Sequence, residues 1–148
     1  MYYSGKKKRH TVKTQLMVNN QGLIIHKAGH KKGKRHDYGI YKKSHPVTPK
    51  QVVSAFDLGY LGVGKDSPEQ LSSLPSRKRG SQKDLSHEEK ECNHNRSRKR
   101  IVIEHTICRM KKHRIIIEEV FRNRLRNYDR VSDIVSGLVN YRTLASSF

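Results

Sequence analysis

The sequence lacks the segments by which proteins cross membranes or leave the cell. No uninterrupted apolar run approaches the ~20 residues that span a bilayer. The basic residues near the amino end have no apolar stretch behind them, which excludes a secretory signal. Two cysteines, Cys92 and Cys108, are too few for a disulfide framework. We therefore expect a soluble protein of the reducing cytoplasm.

Apolar and acidic residues are also scarce. There is no Trp, only 33% of the 148 residues are hydrophobic, and the mean hydropathy is -0.88. A chain of this length allows one domain and hardly a second. It holds 13 Asp and Glu against 32 Lys and Arg, which gives a formal net charge of +19. The sequence therefore predicts a strongly basic domain with little material for a core.

The basic charge is concentrated at both ends of the chain. The net charge is +12 over residues 1–50, −2 over residues 51–75 and +9 over residues 76–148. A phosphate backbone attracts such flanks, with an affinity that falls steeply with salt. A solvated basic surface or a ribosomal type of RNA binding would carry the same charge. The run Lys31–Arg35 therefore either binds DNA or is solvated. No match in the sequence to a phosphate-binding Walker loop, a Rossmann glycine pattern or a Ser/His/Asp catalytic order is better than chance.

The first half of the sequence predicts a hairpin. A partial alternation of apolar residues over 11–18 predicts a strand, residues 19–22 a turn, and residues 23–26 a second strand. A basic loop with glycines follows from Gly29 to Lys34.

A short helix and a buried strand come next. Asp37 is a good N-cap for a helix over about 38–44, which the run from Val47 to Pro49 would end. The compact apolar run of residues 51–56 predicts a buried strand that ends at Asp57.

Helices dominate the second half. Residues 64–85 are rich in Ser, Pro, Gly and charge, and predict a loop or insertion. Ser86 and Glu89 have capping-box spacing, so a long helix should follow to about His113. Residues 115–128 fit a strand or a helix, and residues 131–144 carry a helical apolar stripe. This order of elements predicts an α/β domain.

Two acids stand out by position. Asp57 follows a buried strand, where α/β sheets place ligands. Glu104 lies inside the long predicted helix. At about 100° per residue it shares one stripe with four other side chains, all within roughly 40° of one direction: Ser97, Arg100, Cys108 and Lys111. An acid flanked by basic residues is suited to holding a metal beside a phosphate, whereas a plain Arg100–Glu104 surface ion pair has the same spacing.

The cysteines have spacings that could suggest zinc. Cys92 lies two residues before His94, and His105 three before Cys108. In one helix, however, the two cysteines would stand ~24 Å apart, and Cys92 and His94 would point to nearly opposite faces. We therefore expect cysteines without a metal.

Several segments in a fixed order resemble the DDE transposases. They are Tyr3–Thr11, His36–Asp37, Asp57–Tyr60 and Arg100–His105. More closely, they resemble the bacterial insertion-sequence transposases that share a catalytic domain with the Harbinger elements. The late pattern of Arg, Glu and Lys is matched by Arg100, Glu104 and Lys111, whereas Ser97 stands where the family has Tyr.

The resemblance implies a ribonuclease-H-like fold and a metal-dependent reaction on DNA. Asp57 and Glu104 would be the second and third catalytic acids, and would hold divalent ions ~3.5–4 Å apart for strand cleavage and strand transfer. Oxygen ligands favour Mg2+, with Mn2+ as a substitute. The expected partner is double-stranded DNA, at the insertion-sequence ends and the target. The residues expected to bind DNA are Arg100, Lys111, Lys6, Lys7, Lys8 and Arg9, and the accessory residues are His36 and Asp37.

The family places its first acid on a strand that precedes the Tyr3–Thr11 segment. We therefore expect residues 1–148 to be a partial catalytic domain, truncated at its first, central strand, and inactive alone. An upstream-encoded transposase segment would then be a partner, and the protein would be associated with the nucleoid. The alternative is a transposase relic, a catalytically inert basic protein that binds nucleic acid.

Overall fold

A computed structural model describes residues 3–4, 8–44, 46–76, 84–116 and 125–146. The chain divides into two units, one of Met1–Arg35 with Val102–Phe148 and one of His36–Ile101. Among the described residues, no helix is both long enough and apolar enough to cross a membrane.

Helices and short strands are mixed along the chain. The helices are α1 (Asp37–Ser44), α2 (Val63–Asp66), α3 (His87–Lys111) and α4 (Tyr128–Ala145). The strands are β1 (Tyr3–Ser4), β2 (Arg9–His10), β3 (Val12–Lys13), β4 (Leu16–Val18), β5 (Ile24–Lys27), β6 (Lys31–Lys32), β7 (Ser54–Ala55) and β8 (Ser72–Ser73). Each described strand has one partner: β1 pairs with β2, β3 with β6 and β4 with β5, all antiparallel, and β7 with β8 in parallel.

The predicted hairpin is confirmed in the first unit as β4 and β5. Asn19 shapes its turn, because its Oδ1 accepts hydrogen bonds from the N–H groups of Gln21 and Leu23. Gly22 has φ +84, a backbone conformation that favours glycine. The predicted first strand is divided into β3 and β4, because these segments pair with different strands. The loop predicted from Gly29 to Lys34 is wrong at its centre, where β6 pairs with β3.

The core of the first unit lies between α3, α4 and the hairpin. Met110, Val135 and Val139 are buried, and the partly buried residues packed against them are Leu16, Ile24 and Ile116. The predicted helix over 131–144 is confirmed as α4. Its buried face differs from the predicted stripe, because Ile134 is 59% exposed and Leu138 47% exposed, whereas Ser132 and Ser136 are buried. These hydroxyls donate to the carbonyls of Asp129 and Ser132, so the small serines can be buried without loss of hydrogen bonds.

Polar side chains tie the hairpin to the helices of this unit. Asn140 on α4 accepts from the Ile24 N–H at 2.8 Å and donates to the Ile24 carbonyl at 2.9 Å. Thr106 on α3 is fully buried and donates to the Gly22 carbonyl. Lys27 at the end of β5, and His30 shortly after it, bind the carboxylate of Asp129. Side-chain hydrogen bonds therefore hold the hairpin in addition to apolar contacts.

The second unit begins with α1. Its first intrahelical bond runs from the Ile40 N–H to the His36 carbonyl. The predicted N-cap role of Asp37 is therefore wrong by one position: His36 holds the cap position and Asp37 lies in the first turn, where its charge suits the helix dipole.

The predicted buried strand over residues 51–56 is mostly wrong. Only Ser54–Ala55 forms a strand, and Val52 and Val53 are 48% and 61% exposed. Its partner β8 lies within residues 64–85, predicted as a loop, together with part of α2. In the described part of this unit β7 is paired on one side only, which leaves the apolar run uncovered.

The predicted long helix is confirmed as α3. The Glu89 N–H donates to Ser86 Oγ at 3.2 Å and the Ser86 N–H to Glu89 Oε2 at 2.9 Å, which is the predicted capping box. In the stretch of residues 115–128, short 3-10 turns stand at Arg114–Ile116 and Leu125–Asn127, and residues 117–124 lie outside the described residues.

Candidate functional site

Asp57 lies between β7 and a 3-10 turn at Leu58–Tyr60. Its backbone is extended, with φ -87 and ψ 168, and its side chain caps the turn. The Oδ1 atom accepts from the Leu58 N–H at 2.7 Å, and the Asp57 carbonyl accepts from the Tyr60 N–H at 3.0 Å. The turn therefore fixes the direction in which this carboxylate points.

Arg100 on α3 binds the same carboxylate. Its Nη1 atom lies 3.2 Å from Asp57 Oδ1, and the side chains are 30% and 54% exposed, respectively. The sequence predicts Arg100 at a phosphate or beside Glu104, and gives no sign of a contact with a residue 43 positions away. The structure thus brings together two predicted site residues that local spacing did not connect.

The other oxygen of Asp57 has no hydrogen bond or ion pair with the described part of the chain. Within the described residues, the hydrogen bonds and ion pairs of this side chain all fall on Oδ1. The side chain of Asp57 is 54% exposed. A carboxylate held through one oxygen with the other one open can accept a cation or a hydrogen-bond donor.

The accessory pair His36 and Asp37 lies in the same unit as Asp57. A Cβ atom added to Gly59 would lie 3.8 Å from Asp37 Oδ2, so the start of α1 approaches the 3-10 turn where glycine leaves room. Three predicted site residues, Asp37, Asp57 and Arg100, are therefore neighbours of one turn.

A charged cluster fixes α1 against α2. Tyr38 donates its hydroxyl hydrogen to Asp66 Oδ2, and Lys42 Nζ lies 2.5 Å from the same oxygen and 4.7 Å from the centre of the Tyr38 ring. Lys42 and then Tyr38 hold the pKa of Asp66 below its usual value. Desolvation and the bond to Asp66 raise the pKa of Tyr38 to about 12. The spacing of Tyr38 and Lys42 places them on one face of the predicted helix, but nothing in the sequence identifies Asp66 as their partner.

Glu104 and Lys111 belong to the first unit, in the carboxyl-terminal half of α3. Both are exposed. Thr106 anchors this half of the helix, because its hydroxyl lies within 3.1 Å of the carbonyls of Gly22 and Val102. The helix thus presents Glu104 from a segment that is fixed to the hairpin.

The first basic run is described in part. Lys6 and Lys7 lie outside the described residues. Lys8 is exposed with φ 51, immediately before β2, which contains the backbone of Arg9.

The ligand type suits a divalent metal, because Asp57 offers a carboxylate oxygen and hard cations such as Mg2+ prefer oxygen ligands. Within the described ranges, no three or more His, Cys, Asp or Glu side chains form a group that could hold a metal ion. Cys92 and Cys108 are free and exposed. The described part of the chain therefore supplies suitable ligands without a complete set.

Comparisons with known proteins agree on one family. The family model of the DDE superfamily endonucleases matches residues 1–140. The chain is 36% identical over 140 residues to a protein of Microchaete diplosiphon named as the probable transposase for insertion sequence element IS702. That alignment covers 95% of this chain and 49% of the relative, so the chain spans about half the length of the relative. No solved structure matches.

Proposed function

Because this chain belongs to the DDE superfamily endonucleases, as a transposase of the insertion-sequence type, we propose that it carries two of the acids of a transposase active site, Asp57 and Glu104. The reaction is metal-dependent cleavage and strand transfer of DNA at the ends of an insertion sequence, on a ribonuclease-H-like fold. The observation that carries the proposal is the Asp57 carboxylate, which is held through Oδ1 and, among the described residues, has no partner at Oδ2.

Asp57 and Glu104 would hold the divalent ions, for which Mg2+ is the expected species and Mn2+ a substitute. DDE endonucleases generally use divalent metals, which activate the attacking oxygen and stabilise the leaving oxygen of the phosphodiester. Arg100 positions Asp57 through Nη1. Its guanidinium is a planar, charged group of the kind that binds phosphate oxygens.

Six basic residues within the two terminal segments would bind double-stranded DNA at the insertion-sequence ends and at the target. Lys111 and Arg100 would contact phosphate near the cut, and the run Lys6, Lys7, Lys8 and Arg9 would contact the flanking duplex. His36 and Asp37 would act as accessory residues beside the Asp57 turn, with Asp37 close to Gly59. The net charges of +12 and +9 on the flanks support this assignment.

We also propose that an upstream-encoded transposase segment supplies a strand beside β7. Val52 and Val53 are exposed apolar residues next to this strand, and in the described residues β7 pairs with β8 alone. A further strand would cover the apolar run and satisfy backbone groups at the sheet edge.

Nicking of supercoiled DNA that carries the insertion-sequence ends tests the proposal, with the 148-residue chain alone and with the upstream segment. We expect Mg2+-dependent nicking with the segment and none without it. Asp57→Asn should lower the rate at least ~100-fold, because one of the metal-holding carboxylates is lost. Asp84→Asn, which removes the same charge from an exposed aspartate, should nick like the unmodified chain. Robust nicking by Asp57→Asn would contradict the proposal.

The alternative function, a catalytically inert nucleic-acid-binding protein, is favoured by the incomplete ligand set of the described residues. It predicts salt-sensitive DNA binding with no nicking in any combination of segment and metal.

A further inference from the structure

β3 and β6 form a ribbon in which basic residues face one another. In its register Lys13 lies opposite Lys31, and Val12 lies opposite Lys32. Like charges directly opposite each other destabilise an antiparallel pair. The ribbon therefore forms against a local electrostatic cost.

Hydrogen bonds hold the ribbon and its turn in place. The Gly33 N–H donates to the Thr11 carbonyl at 2.9 Å, and the Arg35 N–H to the Lys32 carbonyl at 2.9 Å. Lys13 Nζ donates to the Arg35 carbonyl at 2.9 Å. A Cβ atom on Gly33 would lie 1.7 Å from Thr11 Oγ1, so only glycine allows this close approach. The turn is thus fixed tightly against Thr11 while it concentrates positive charge.

We call the set Lys13, Lys31, Lys32, Lys34 and Arg35 the basic ribbon. Lys32, Lys34 and Arg35 are exposed, and Lys13 and Lys31 are half-buried. Two acids of the same unit are engaged elsewhere, because Asp129 binds His30 and Asp133 binds Lys27. The basic ribbon thus gathers five cationic side chains, three of them exposed, around a turn that lies close to Thr11.

We propose that the basic ribbon binds the phosphate backbone of duplex DNA, as a contact additional to Arg100 and Lys111. The proposal rests on the proposed function, which supplies DNA as the partner. Opposite residues of an antiparallel pair lie ~4.5–5.5 Å apart. A phosphate beside Lys13 and Lys31 would therefore be close to both side chains and would offset their repulsion.

The composition of the ribbon favours contacts that do not depend on base sequence. Four of its five cations are lysines, which bind phosphate as point charges and lack the rigid planar fork of arginine. We infer that the ribbon positions the duplex without selecting its sequence.

Binding of a short duplex, measured over a salt series, tests the ribbon. The variant Lys31→Gln/Lys32→Gln should reduce the slope of log affinity against log salt by nearly two, because each lost phosphate contact removes ~0.9. The matched control Lys50→Gln/Lys65→Gln removes the same charge from two exposed lysines outside the ribbon and should leave the slope within about 0.5 of the unmodified value. The variant Lys31→Arg/Lys32→Arg should restore the slope, because arginine also binds phosphate.

The outcomes separate this proposal from the proposed function. If the unmodified chain shows no salt-dependent binding of duplex DNA, both are overturned. Only the ribbon proposal is overturned if the unmodified chain binds but Lys31→Gln/Lys32→Gln leaves the salt slope unchanged. The same holds if this variant and the Lys50→Gln/Lys65→Gln control reduce the salt slope equally. Stronger ribbon-dependent binding of single-stranded RNA than of duplex DNA would overturn the choice of partner. Circular dichroism of each variant identifies a loss of folding. A folded Lys31→Arg/Lys32→Arg variant whose salt slope is still reduced would also contradict the ribbon proposal.

Discussion

Arg100 donates from Nη1 to Asp57 Oδ1 over 3.2 Å and so ties α3 to the residue that follows β7. The Leu58 N–H binds the same oxygen. The carboxylate is thus oriented by one backbone donor from its own turn and one side-chain donor from a distant helix. This arrangement resembles the hydrogen bonds that orient metal ligands from outside the coordination sphere.

Arg100→Gln should lower the apparent affinity for metal in the nicking reaction more than it destabilises the fold. We expect the Mg2+ concentration for half-maximal nicking to rise about 10- to 100-fold, because Asp57 loses a donor that orients it. Stability should fall by less than ~1 kcal/mol, because the ion pair is exposed. A titration of nicking against Mg2+, with DNA affinity measured in parallel, checks this. An unchanged Mg2+ dependence with weakened DNA binding would assign Arg100 to phosphate alone.

Glu104→Gln should abolish metal-dependent cleavage and leave DNA binding nearly intact. The substitution removes a carboxylate that would hold metal but no cation that binds phosphate. Glu91→Gln, at an exposed position of α3, is the matched control and should cleave normally. Cleavage assays and duplex binding check the two properties separately. If Glu104 serves only as a surface ion pair with Arg100, the change would cost ~0.5 kcal/mol or less and cleavage would persist.

The contact between Asp129 and His30 should make stability sensitive to acid. Burial pushes the pKa of Asp129 upward, but the bonds from the His30 N–H and ring and the charge of Lys27 outweigh it, so the pKa lies below its usual value. A carboxylate with a lowered folded pKa stabilises the fold above its unfolded pKa of ~3.9, and loses this contribution as the pH falls through the folded pKa.

Asp129→Ala should therefore cost about 1 kcal/mol at neutral pH, and this cost should shrink as the pH falls from about 4 to about 2. Urea unfolding at a series of pH values measures it. Asp129→Asn keeps an oxygen for the His30 N–H, which binds Asp129 Oδ1 at 2.8 Å, and should lose only the pH-dependent part. A cost that stays constant down to pH 2 would contradict the assigned cause.

Asn140→Leu should destabilise the first unit by about 2 kcal/mol. The amide of Asn140 accepts from and donates to the backbone of Ile24, and leucine would leave both backbone groups without these bonds. Asn95→Leu, at an exposed position of α3, should cost much less. Denaturant unfolding checks both variants. Equal costs would mean that the Ile24 backbone is satisfied in another way.

The sequence determines the elements whose signals are local. The capping box of Ser86 and Glu89 begins α3, because its two hydrogen bonds join residues three positions apart. The hairpin turn is local in the same way. The Asn19 side chain accepts a hydrogen bond from within the turn, and Gly22 adopts a positive φ that glycine favours. Asp57, Arg100 and Glu104 could also be chosen from the sequence as candidates, because their motifs are linear.

Tertiary structure alone decides which segments and faces meet. Periodicity places Ile134 and Val139 on the same apolar stripe of α4 but cannot choose between them for the core, since the choice depends on the packing partner. The pairing of β7 with β8 joins segments whose sequences carry no mutual signal. The contact of Arg100 with Asp57 joins residues 43 positions apart, so it depends on how α3 packs beside the turn that follows β7. Spacing along a sequence specifies local geometry only, so such contacts arise from the fold as a whole.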